Sequence, residues 1–551
     1  GNGAQRGKDY SVAVANLADP TAEPTDADFT VVKSGVLENT GDEQTIVLDA
    51  PVAATHVRIT FTSVYESSGT AEVAARKIRV FATTAEVGGE EEPEDPTIEV
   101  SERVQGIMDA MTLKEKVSQM MMVDFRKWGE TGATAVDFTE MNETVSNIIS
   151  EYDFGSIILF ANNIKETEQS FNLTLAMQEA ATKDGDLALL ITADQEGGSV
   201  YRLGSGTALP GNMALGATGD TNYSYEAGKI IGSELQAVGI NANLAPVVDV
   251  NNNANNPVIG LRSYGDDATA VGQMAAASIQ GMAEYNVIGC AKHFPGHGDT
   301  ATDSHYGLPI VDKSLDVLLE NELKPYEVAI DEGIEMIMTA HILYPQLEGD
   351  KILSNKTGEE ESLPATMSDD ILTGLLKGDM GFEGIIVSDA MNMNGISGKW
   401  DQVQSVKVAI AAGLDMVCMP CQLYCEADLA NLDAIINGVV EAVENGEIPE
   451  TRIDDAVARI LTVKENRGIL DYKAEDHTLE NALATVGSAE NRQTEREIAS
   501  AAVTVVKNDN NVLPLNLTSE SNVLMLVPYN NERAQMLMGW NRAVEAGIIP
   551  Y

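Results

Sequence analysis

The stretch VIGCAKHFPGHG, residues 287–298, is the part of the sequence that best indicates the fold. An apolar run that starts at Val287 leads directly into the polar side chains of Lys292 and His293. A short run that is apolar on both faces is typical of a strand buried in a parallel sheet. The polar residues then lie where the strand ends, and parallel α/β folds collect their functional groups at such ends.

The same arrangement recurs on both sides of this stretch. Together with Val287–Phe294, the predicted strands are Met120–Phe125, Gly155–Phe160, Leu187–Asp194, Asn241–Val248, Glu335–Ile342, Gly384–Met391 and Asp415–Pro420. Most spacers are long enough for a helix, and Ala270–Tyr285 and Gln402–Ala412 show helical periodicity. Eight βα units predict an α/β fold, specifically a (β/α)8 TIM-type barrel. An open doubly wound sheet is the alternative, but no glycine-rich phosphate-binding turn follows the first strand.

Further domains are predicted on either side of a barrel that spans residues 98–470. Residues 1–85 are predicted to form a small β-sandwich, incomplete at its start, from the β-rich runs Val31–Val36, Thr45–Leu48, His56–Phe61 and Lys77–Phe81. Residues 86–97 are acidic and contain Gly and Pro, which predicts a linker, with an acidic surface loop as the alternative. Residues 471–551 predict a connector and the start of a C-terminal α/β sandwich domain, cut short, with a buried strand at Val523–Pro528.

Composition excludes several classes of protein. The 551 residues include 44% hydrophobic and 22% charged residues, an ordinary globular balance. With 35 Lys and Arg against 85 Asp and Glu, the formal charge is −50, so we expect no nucleic-acid partner. No run of 18 apolar residues is present, which argues against a membrane span. The polar start, Gly1–Lys8, does not have the pattern of a signal peptide and is typical of the interior of a longer protein.

Histidine and cysteine clusters raise the question of a metal site. His293, His297 and His305 lie within thirteen residues, and His is a common zinc and iron ligand. Their spacing is not that of a helical pair, and the intervening Gly and Pro predict a loop, so we expect no metal. Histidines that only form hydrogen bonds at the barrel mouth are a further alternative. The cysteine run at residues 418–425 is interpreted as buried free thiols rather than as a thiolate site.

Asp303-Ser304-His305 is the sharper feature of this loop. An Asp two residues from a His can orient the imidazole and stabilise its protonated form, and such a His transfers protons near neutral pH. Asp389 is the better candidate for a nucleophile, since it is a carboxylate at the end of an apolar strand, whereas Ser304 lacks the context of a hydrolase serine. An Asp389 that merely caps the next helix is the structural alternative.

Five motifs occur in a fixed order along the chain. They are DQEGG at 194–198 with Arg202, RSYG at 262–265, KHFPGHG at 292–298, DSH at 303–305 and VSDAM at 387–391. Together, over about residues 100–515, they resemble family 3 glycoside hydrolases of the β-N-acetylglucosaminidase branch. The Asp-Ser-His tripeptide marks that branch, because β-glucosidases of the same family usually lack it and take a Glu acid/base from the C-terminal domain.

The resemblance implies a role for each matching residue. Asp389 matches the nucleophile of a retaining reaction, His305 matches the general acid/base, and Asp303 matches the partner of His305. Five further residues match those that hydrogen-bond the terminal sugar or orient that set: Asp194, Arg202, Arg262, Lys292 and His293. A carboxylate that accepts from neighbouring hydroxyls, with Lys and Arg donating, would fix the sugar ring against the nucleophile. The resemblance implies no metal and no organic cofactor.

The expected function is therefore the exo-acting removal of terminal β-linked N-acetylglucosamine from peptidoglycan fragments, chitooligosaccharides or glycans. The alternatives are a phosphorylase, because a His tolerates incoming phosphate where a carboxylate repels it, a β-glucosidase of the same family, and a non-catalytic carbohydrate-binding surface protein. Residues 56–83 resemble the closing strands of discoidin-like carbohydrate-binding modules, which implies a glycan ligand for the N-terminal domain. This module and the acidic composition together predict an extracellular or cell-surface protein of a bacterium.

Overall fold

The computed structural model of the protein describes residues 9–15, 25, 29–36, 56–61, 98–183, 185–301, 307–527 and 533–550. The chain divides into two compact units, Gly1–Pro93 and Glu94–Tyr551.

The described part of the first unit is a three-stranded antiparallel sheet. Its strands are β1 (Asp9–Ala15), β2 (Thr30–Val36) and β3 (His56–Phe61), with β1 paired to both others. Strands β2 and β3 agree with the prediction, whereas β1 was not predicted. The runs predicted at residues 45–48 and 77–81 lie outside the described residues.

The second unit is built around an eight-stranded parallel sheet. The strands of this unit are β4 (Met121–Val123), β5 (Lys127–Trp128), β6 (Val136–Asp137), β7 (Ser156–Leu159), β8 (Leu190–Ala193), β9 (Ala242–Asn243), β10 (Ile288–Phe294), β11 (Met336–Thr339), β12 (Lys351–Leu353), β13 (Glu360–Ser362), β14 (Ile385–Ser388) and β15 (Val417–Cys418). The sheet order is β14-β11-β10-β9-β8-β7-β4-β15, while β5–β6 and β12–β13 form separate two-stranded ribbons. A parallel bridge between Val387 and Met416 joins the two end strands, so the sheet closes into a barrel.

Helices precede, separate and follow the barrel strands. They are α1 (Glu102–Ala110), α2 (Leu113–Gln119), α3 (Glu143–Tyr152), α4 (Thr167–Ala181), α5 (Asn212–Thr218), α6 (Thr221–Ala237), α7 (Ala268–Ala283), α8 (Leu315–Glu320), α9 (Lys324–Asp331), α10 (Asn394–Ser397), α11 (Gln402–Ala411), α12 (Leu429–Glu444), α13 (Glu450–Asn466), α14 (Leu479–Thr485), α15 (Ala489–Ala501) and α16 (Arg533–Glu545), with a π-helical turn at Asp370–Asp379. None of the helices in the described ranges is both long and apolar enough to cross a bilayer.

Local sequence explains where these elements begin and how closely they pack. Helix α2 begins at a capping box, in which the Thr112 hydroxyl accepts from the Glu115 N–H and the Glu115 carboxylate accepts from the Thr112 N–H. Helices α6 and α7 approach closely at Gly228, where an added Cβ would lie 2.1 Å from the Ser278 carbonyl oxygen. Only glycine permits that approach.

The barrel prediction is confirmed, because all eight predicted strands appear in one closed parallel sheet. The strand predicted at Val523–Pro528 is wrong for its described residues, 523–527, which form no strand. Leu524 and Leu526 there are 82% and 77% exposed. A strand needs a neighbour to satisfy its backbone groups, and no described strand pairs with this segment.

Candidate active site

Polar side chains from most of the barrel strands meet at the carboxyl ends of the sheet. They follow or end β4, β8, β9, β10, β11 and β14, and they are Asp124, Asp194, Glu196, Asp249, Lys292, His293, His341 and Asp389. In barrels of this type the ligand binds at this face.

Three of these side chains and two neighbouring arginines form an ion-pair cluster, which we define as Asp194, Glu196, Lys292, Arg202 and Arg262. Lys292 Nζ lies 2.9 Å from Asp194 Oδ1 and 2.8 Å from Glu196 Oε1. Arg262 donates two parallel bonds to Glu196, of 2.8 and 2.7 Å, and Arg202 donates to Asp194 at 3.1 Å. Four of the predicted sugar-binding residues therefore lie together, and Glu196 links two of them.

The cluster is ionised because each charge has a close partner of opposite sign. Burial raises the pKa of Asp194, but Lys292 and Arg202 outweigh it and the net pKa is below its ordinary value. Burial likewise raises the pKa of Glu196, but Lys292 and Arg262 hold it well below the usual range. Burial lowers the pKa of Lys292, yet the two carboxylates raise it overall. Lys292 and Arg262 are thus charged donors at neutral pH.

His293 is held by a buried carboxylate rather than by the ion-pair cluster. Its Nδ1 lies 2.8 Å from Asp249 Oδ2, and its backbone N–H donates to Asp249 Oδ1 at 3.2 Å. The backbone N–H of His297 donates to the same oxygen at 2.6 Å. Because a carboxylate oxygen accepts, His293 Nδ1 is the donor in this contact.

The turn that follows His297 is closely packed. An added Cβ at Gly298 would lie 1.7 Å from the Val250 carbonyl oxygen, so only glycine fits there. Asn256 donates to the carbonyl oxygens of His297 and Gly298 at 2.8 and 2.9 Å. These contacts fix the loop that leads away from β10. Asp303 and His305, the predicted acid/base pair, lie outside the described residues, so their roles stay predictions.

Asp389 directly follows β14 and is partly exposed. Its Oδ1 accepts from the Ala390 N–H at 2.7 Å, and its own N–H donates to the Thr339 carbonyl at 3.2 Å. Burial raises the pKa of Asp389, but His341, His293, the Ala390 N–H and Lys292 together bring it below its ordinary value. Asp389 is therefore an ionised carboxylate on a rigid strand end, which is the form that a nucleophile requires.

A second group of side chains lies at the ends of β4 and β7. Phe160 is contacted by two guanidinium groups, with Arg126 Cζ 3.5 Å and Arg202 Cζ 5.6 Å from its ring centroid. The Phe160 contact helps to direct Arg202 toward Asp194. Asp124 is buried beside Arg126, whose Nε lies 3.4 Å away. Burial raises the pKa of Asp124 to about 6, against a smaller opposing effect of Arg126.

Four of the eight side chains at this face were not predicted as site residues, namely Asp124, Glu196, Asp249 and His341. Glu196 lies inside the quoted DQEGG motif, and Asp249 follows a predicted strand. A buried carboxylate requires a cation or several N–H donors. The positions of Glu196 and Asp249 in the sequence could therefore have indicated that each carboxylate has such a partner in the site.

Across the described ranges no group of three or more His, Cys, Asp or Glu side chains is arranged to hold a metal ion. Cys290, Cys418, Cys421 and Cys425 are buried free thiols.

Comparison with known proteins supplies independent information. Residues 112–463 match the glycosyl hydrolase family 3 N terminal domain. Beta-hexosaminidase A of Pseudoalteromonas piscicida is 38% identical over 418 residues, which are 74% of this chain and 69% of that protein. The beta-N-acetylglucosaminidase/beta-glucosidase of Cellulomonas fimi is 31% identical over 339 residues, 62% of this chain and 57% of that protein.

A solved structure agrees with these matches. The family 3 beta-N-acetylglucosaminidase from Paenibacillus sp. str. FPU-7 is similar with a TM-score of 0.62 and 38% identity, covering 71% of this chain and 69% of that one. The family prediction is confirmed. The discoidin-like module predicted for residues 1–85 receives no support from these matches.

Proposed function

Because the chain belongs to glycosyl hydrolase family 3, we propose that it is a retaining, exo-acting β-N-acetylglucosaminidase. The observation that carries the proposal is the position of Asp389 at the carboxyl end of β14, two strands from β10, which carries Lys292 and His293 at the same end. Both residues lower the pKa of Asp389. A nucleophile and a set of charged hydrogen-bonding groups thus lie at the same end of the barrel. The Asp303-Ser304-His305 tripeptide favours the N-acetylglucosamine branch over the β-glucosidases.

The ion-pair cluster and His293 would hold the terminal sugar. Asp194 accepts hydrogen bonds from neighbouring ring hydroxyls, while Lys292 and Arg262 donate to them. Because Glu196 and Asp194 already orient both cations, their N–H groups need little rearrangement when the sugar enters. Arg202 acts through Asp194, to which it is bonded at 3.1 Å.

The reaction then follows the two-step scheme of retaining glycosidases. Asp389 attacks C1 of the sugar and forms an ester bond as the C1–oxygen bond to the leaving group breaks, and His305 gives its proton to the leaving oxygen. In the second step His305 takes a proton from water, which attacks C1 and releases Asp389. Two inversions give net retention. Asp303 favours the protonated form of His305.

A panel of aryl glycosides tests this function. We expect aryl N-acetyl-β-glucosaminide to be cleaved with higher kcat/KM than aryl β-glucoside, without a requirement for phosphate. A preference for the glucoside would indicate a β-glucosidase, and sugar release that depends on phosphate would indicate a phosphorylase. A chain with no activity on any member would be a carbohydrate-binding protein.

Asp389→Asn is the matched variant for the panel, because it keeps the shape of the side chain and removes the nucleophile. We expect kcat to fall by several orders of magnitude with an unchanged melting temperature. A slow fluorinated substrate should label Asp389 in the wild-type protein. Label on another carboxylate, such as Glu196 or Asp249, would refute the assignment of the nucleophile.

We further propose that the antiparallel sheet of the first unit binds a glycan and that the protein acts outside the cell or at its surface. The basis is the resemblance of residues 56–83 to carbohydrate-binding modules, together with the acidic composition. Retention of the Asp389→Asn chain on chitin and peptidoglycan, with and without residues 1–93, tests the ligand. Equal retention of both forms would remove this part of the proposal, and cell fractionation would test the location.

A further inference from the structure

His341 is a fully buried histidine that the proposed reaction does not use. It follows β11, and its two ring nitrogens have different partners. Nε2 lies 3.1 Å from the carbonyl oxygen of Ala390, and Nδ1 lies 2.9 Å from the hydroxyl of Thr366. Because a carbonyl oxygen only accepts, Nε2 must donate, which fixes one proton of the ring.

The partner on the other side of the ring is itself held. The Thr339 hydroxyl, at the end of β11, bonds to the Thr366 hydroxyl at 2.9 Å. Thr366 has no exposed surface. His341 is therefore clamped between a buried hydroxyl pair and the backbone of Ala390, so its ring has little freedom to rotate.

Ala390 is the residue next to Asp389, and its two backbone groups point to different partners. Its N–H donates to Asp389 Oδ1 at 2.7 Å, and its carbonyl oxygen receives the bond from His341. The next N–H, that of Met391, donates to the Cys418 carbonyl at 2.9 Å. The Ala390 carbonyl oxygen also accepts from the Met393 N–H at 3.0 Å, so His341 and the backbone of the following turn hold Ala390 together.

We propose that His341 is a positioning residue for Asp389, which holds the Ala390 backbone so that its N–H occupies Oδ1 and Oδ2 is presented to the anomeric carbon. This inference rests on the proposed function, because it assumes that Asp389 is the nucleophile. In this role His341 contributes both to the formation and to the hydrolysis of the glycosyl–enzyme ester without touching the sugar. Consistent with this geometry, burial raises the pKa of Asp389, and His341 lowers it more than any other group does.

A purely structural role makes a different prediction. If His341 only fills space at the top of β11, any substitution lowers stability, and activity falls only with the fraction of folded protein. If His341 positions Asp389, the presence of a donor toward Ala390 decides kcat in the folded protein. His341→Gln keeps an N–H donor on a flexible side chain, whereas His341→Leu keeps volume and removes the donor.

The experiment uses the full chain with these two variants and His477→Gln as the control. His477 is stacked on Tyr472 at 5.2 Å and is only half-buried. We would measure kcat and KM on an aryl N-acetyl-β-glucosaminide and on N,N′-diacetylchitobiose. The rate of covalent labelling by a 5-fluoro N-acetylglucosaminyl fluoride would be measured in parallel, with the labelled residue identified by mass spectrometry.

We expect His341→Leu to lower kcat and the labelling rate by about 100-fold on both substrates, the size of effect that a misplaced reacting group produces, with little change in KM. His341→Gln should recover most of this loss, and His477→Gln should equal the wild type. The loss of kcat in His341→Leu should be the same for both leaving groups. Removal of His305, in contrast, should affect the disaccharide more than the aryl substrate. If His341→Leu fails to fold, Thr366→Val removes the other partner of the ring and should give a smaller loss of the same kind.

Two results would overturn the inference. One is wild-type kcat and labelling rate in folded His341→Leu, and the other is an equal loss in the Gln and Leu variants that follows their stability. Failure of the proposed function is seen separately, because label on a residue other than Asp389 in the wild-type protein would refute the nucleophile whatever the variants do.

Discussion

Glu196→Gln is the substitution that most directly tests how the sugar pocket is organised. Glu196 is buried, with 3% of its side chain exposed, and it accepts two bonds from Arg262 and one contact from Lys292. Glutamine has nearly the same shape, but one acceptor oxygen becomes an NH2 donor. One of the two Arg262 N–H groups that now donate to Glu196 would then face the amide NH2, which is itself a donor. Asp194 would be the remaining carboxylate that neutralises Lys292 in the cluster.

The expected loss can be worked from these contacts. A hydrogen bond to a charged group contributes about 1.5–3 kcal/mol, and the variant loses at least one such bond between Arg262 and Glu196. Since about 1.4 kcal/mol corresponds to a factor of ten, kcat/KM should fall by roughly 10- to 100-fold. The melting temperature should also fall, because removing one partner from a buried ion pair leaves a cation without full compensation.

The assay is kcat/KM on an aryl N-acetyl-β-glucosaminide, with thermal unfolding of the same samples. Glu234→Gln is the control, because Glu234 is a buried carboxylate whose donors among the described residues are neutral, namely Thr207, Asn491 and the Gly487 N–H at 2.9 Å. It should lose stability and retain kcat/KM. A Glu196→Gln enzyme with kcat/KM within twofold of the wild type would refute the idea that Glu196 orients Arg262 and Lys292.

Two further predictions concern proton transfer and pH. His305→Ala should slow the release of nitrophenolate far less than the cleavage of a disaccharide, and azide should partly restore turnover of the aryl substrate; equal losses without azide rescue would contradict the acid/base role. Burial raises the pKa of Asp124 from 3.8 to about 6, so the folded state binds this proton more tightly than the unfolded state, and the free energy of unfolding falls as pH rises between these values. Between pH 4 and pH 7, Asp124→Asn should remove about 2 kcal/mol of this fall, measured by urea unfolding at both pH values against the wild type; identical pH dependence in both proteins would show that Asp124 titrates normally.

The fold was predictable because buried parallel strands have a strong sequence signal. Strand β10, predicted at Val287–Phe294, forms over Ile288–Phe294. The strand predicted at Asn241–Val248 is much shorter, since only Ala242–Asn243 pairs as β9. Pro246 has no N–H to donate to the ladder, so regular pairing cannot continue through it.

The first and last parts of the chain show where the signal is weak. Strand β1 contains Asp9 and two alanines, residue types that are depleted in strands, and it is a strand because β2 and β3 pair with it on both sides. The segment 523–527 shows the reverse, because its apolar residues suit a strand but no described strand pairs with it. In both places pairing decides the outcome, and pairing is not visible in a local pattern.

The positions of the site residues were predictable, but their partners were not. Parallel strands bring their carboxyl ends together, so residues at strand ends such as Asp194, Lys292 and Asp389 could be chosen from the sequence. The bond between Glu196 and Arg262 joins residues 66 positions apart, and nothing in either motif specifies it. The sequence therefore suggested that Lys292 and Arg262 are reserved for the sugar, whereas both already neutralise carboxylates.

Because Lys292 and Arg262 are paired with carboxylates, the site consists of two parts with different tasks. The ion-pair cluster binds and orients, and Lys292 lowers the pKa of Asp389 less than His341, His293 and the Ala390 N–H do. The ionised state of Asp389 therefore depends more on imidazoles and a backbone N–H than on the cations of the cluster. It follows that Glu196→Gln should act mainly on sugar binding and leave covalent labelling at saturating reagent nearly unchanged, whereas His341→Leu should slow labelling even at saturation. If both variants slow saturated labelling equally, the two parts are not separate, and Asp389 must be positioned by the cluster as well.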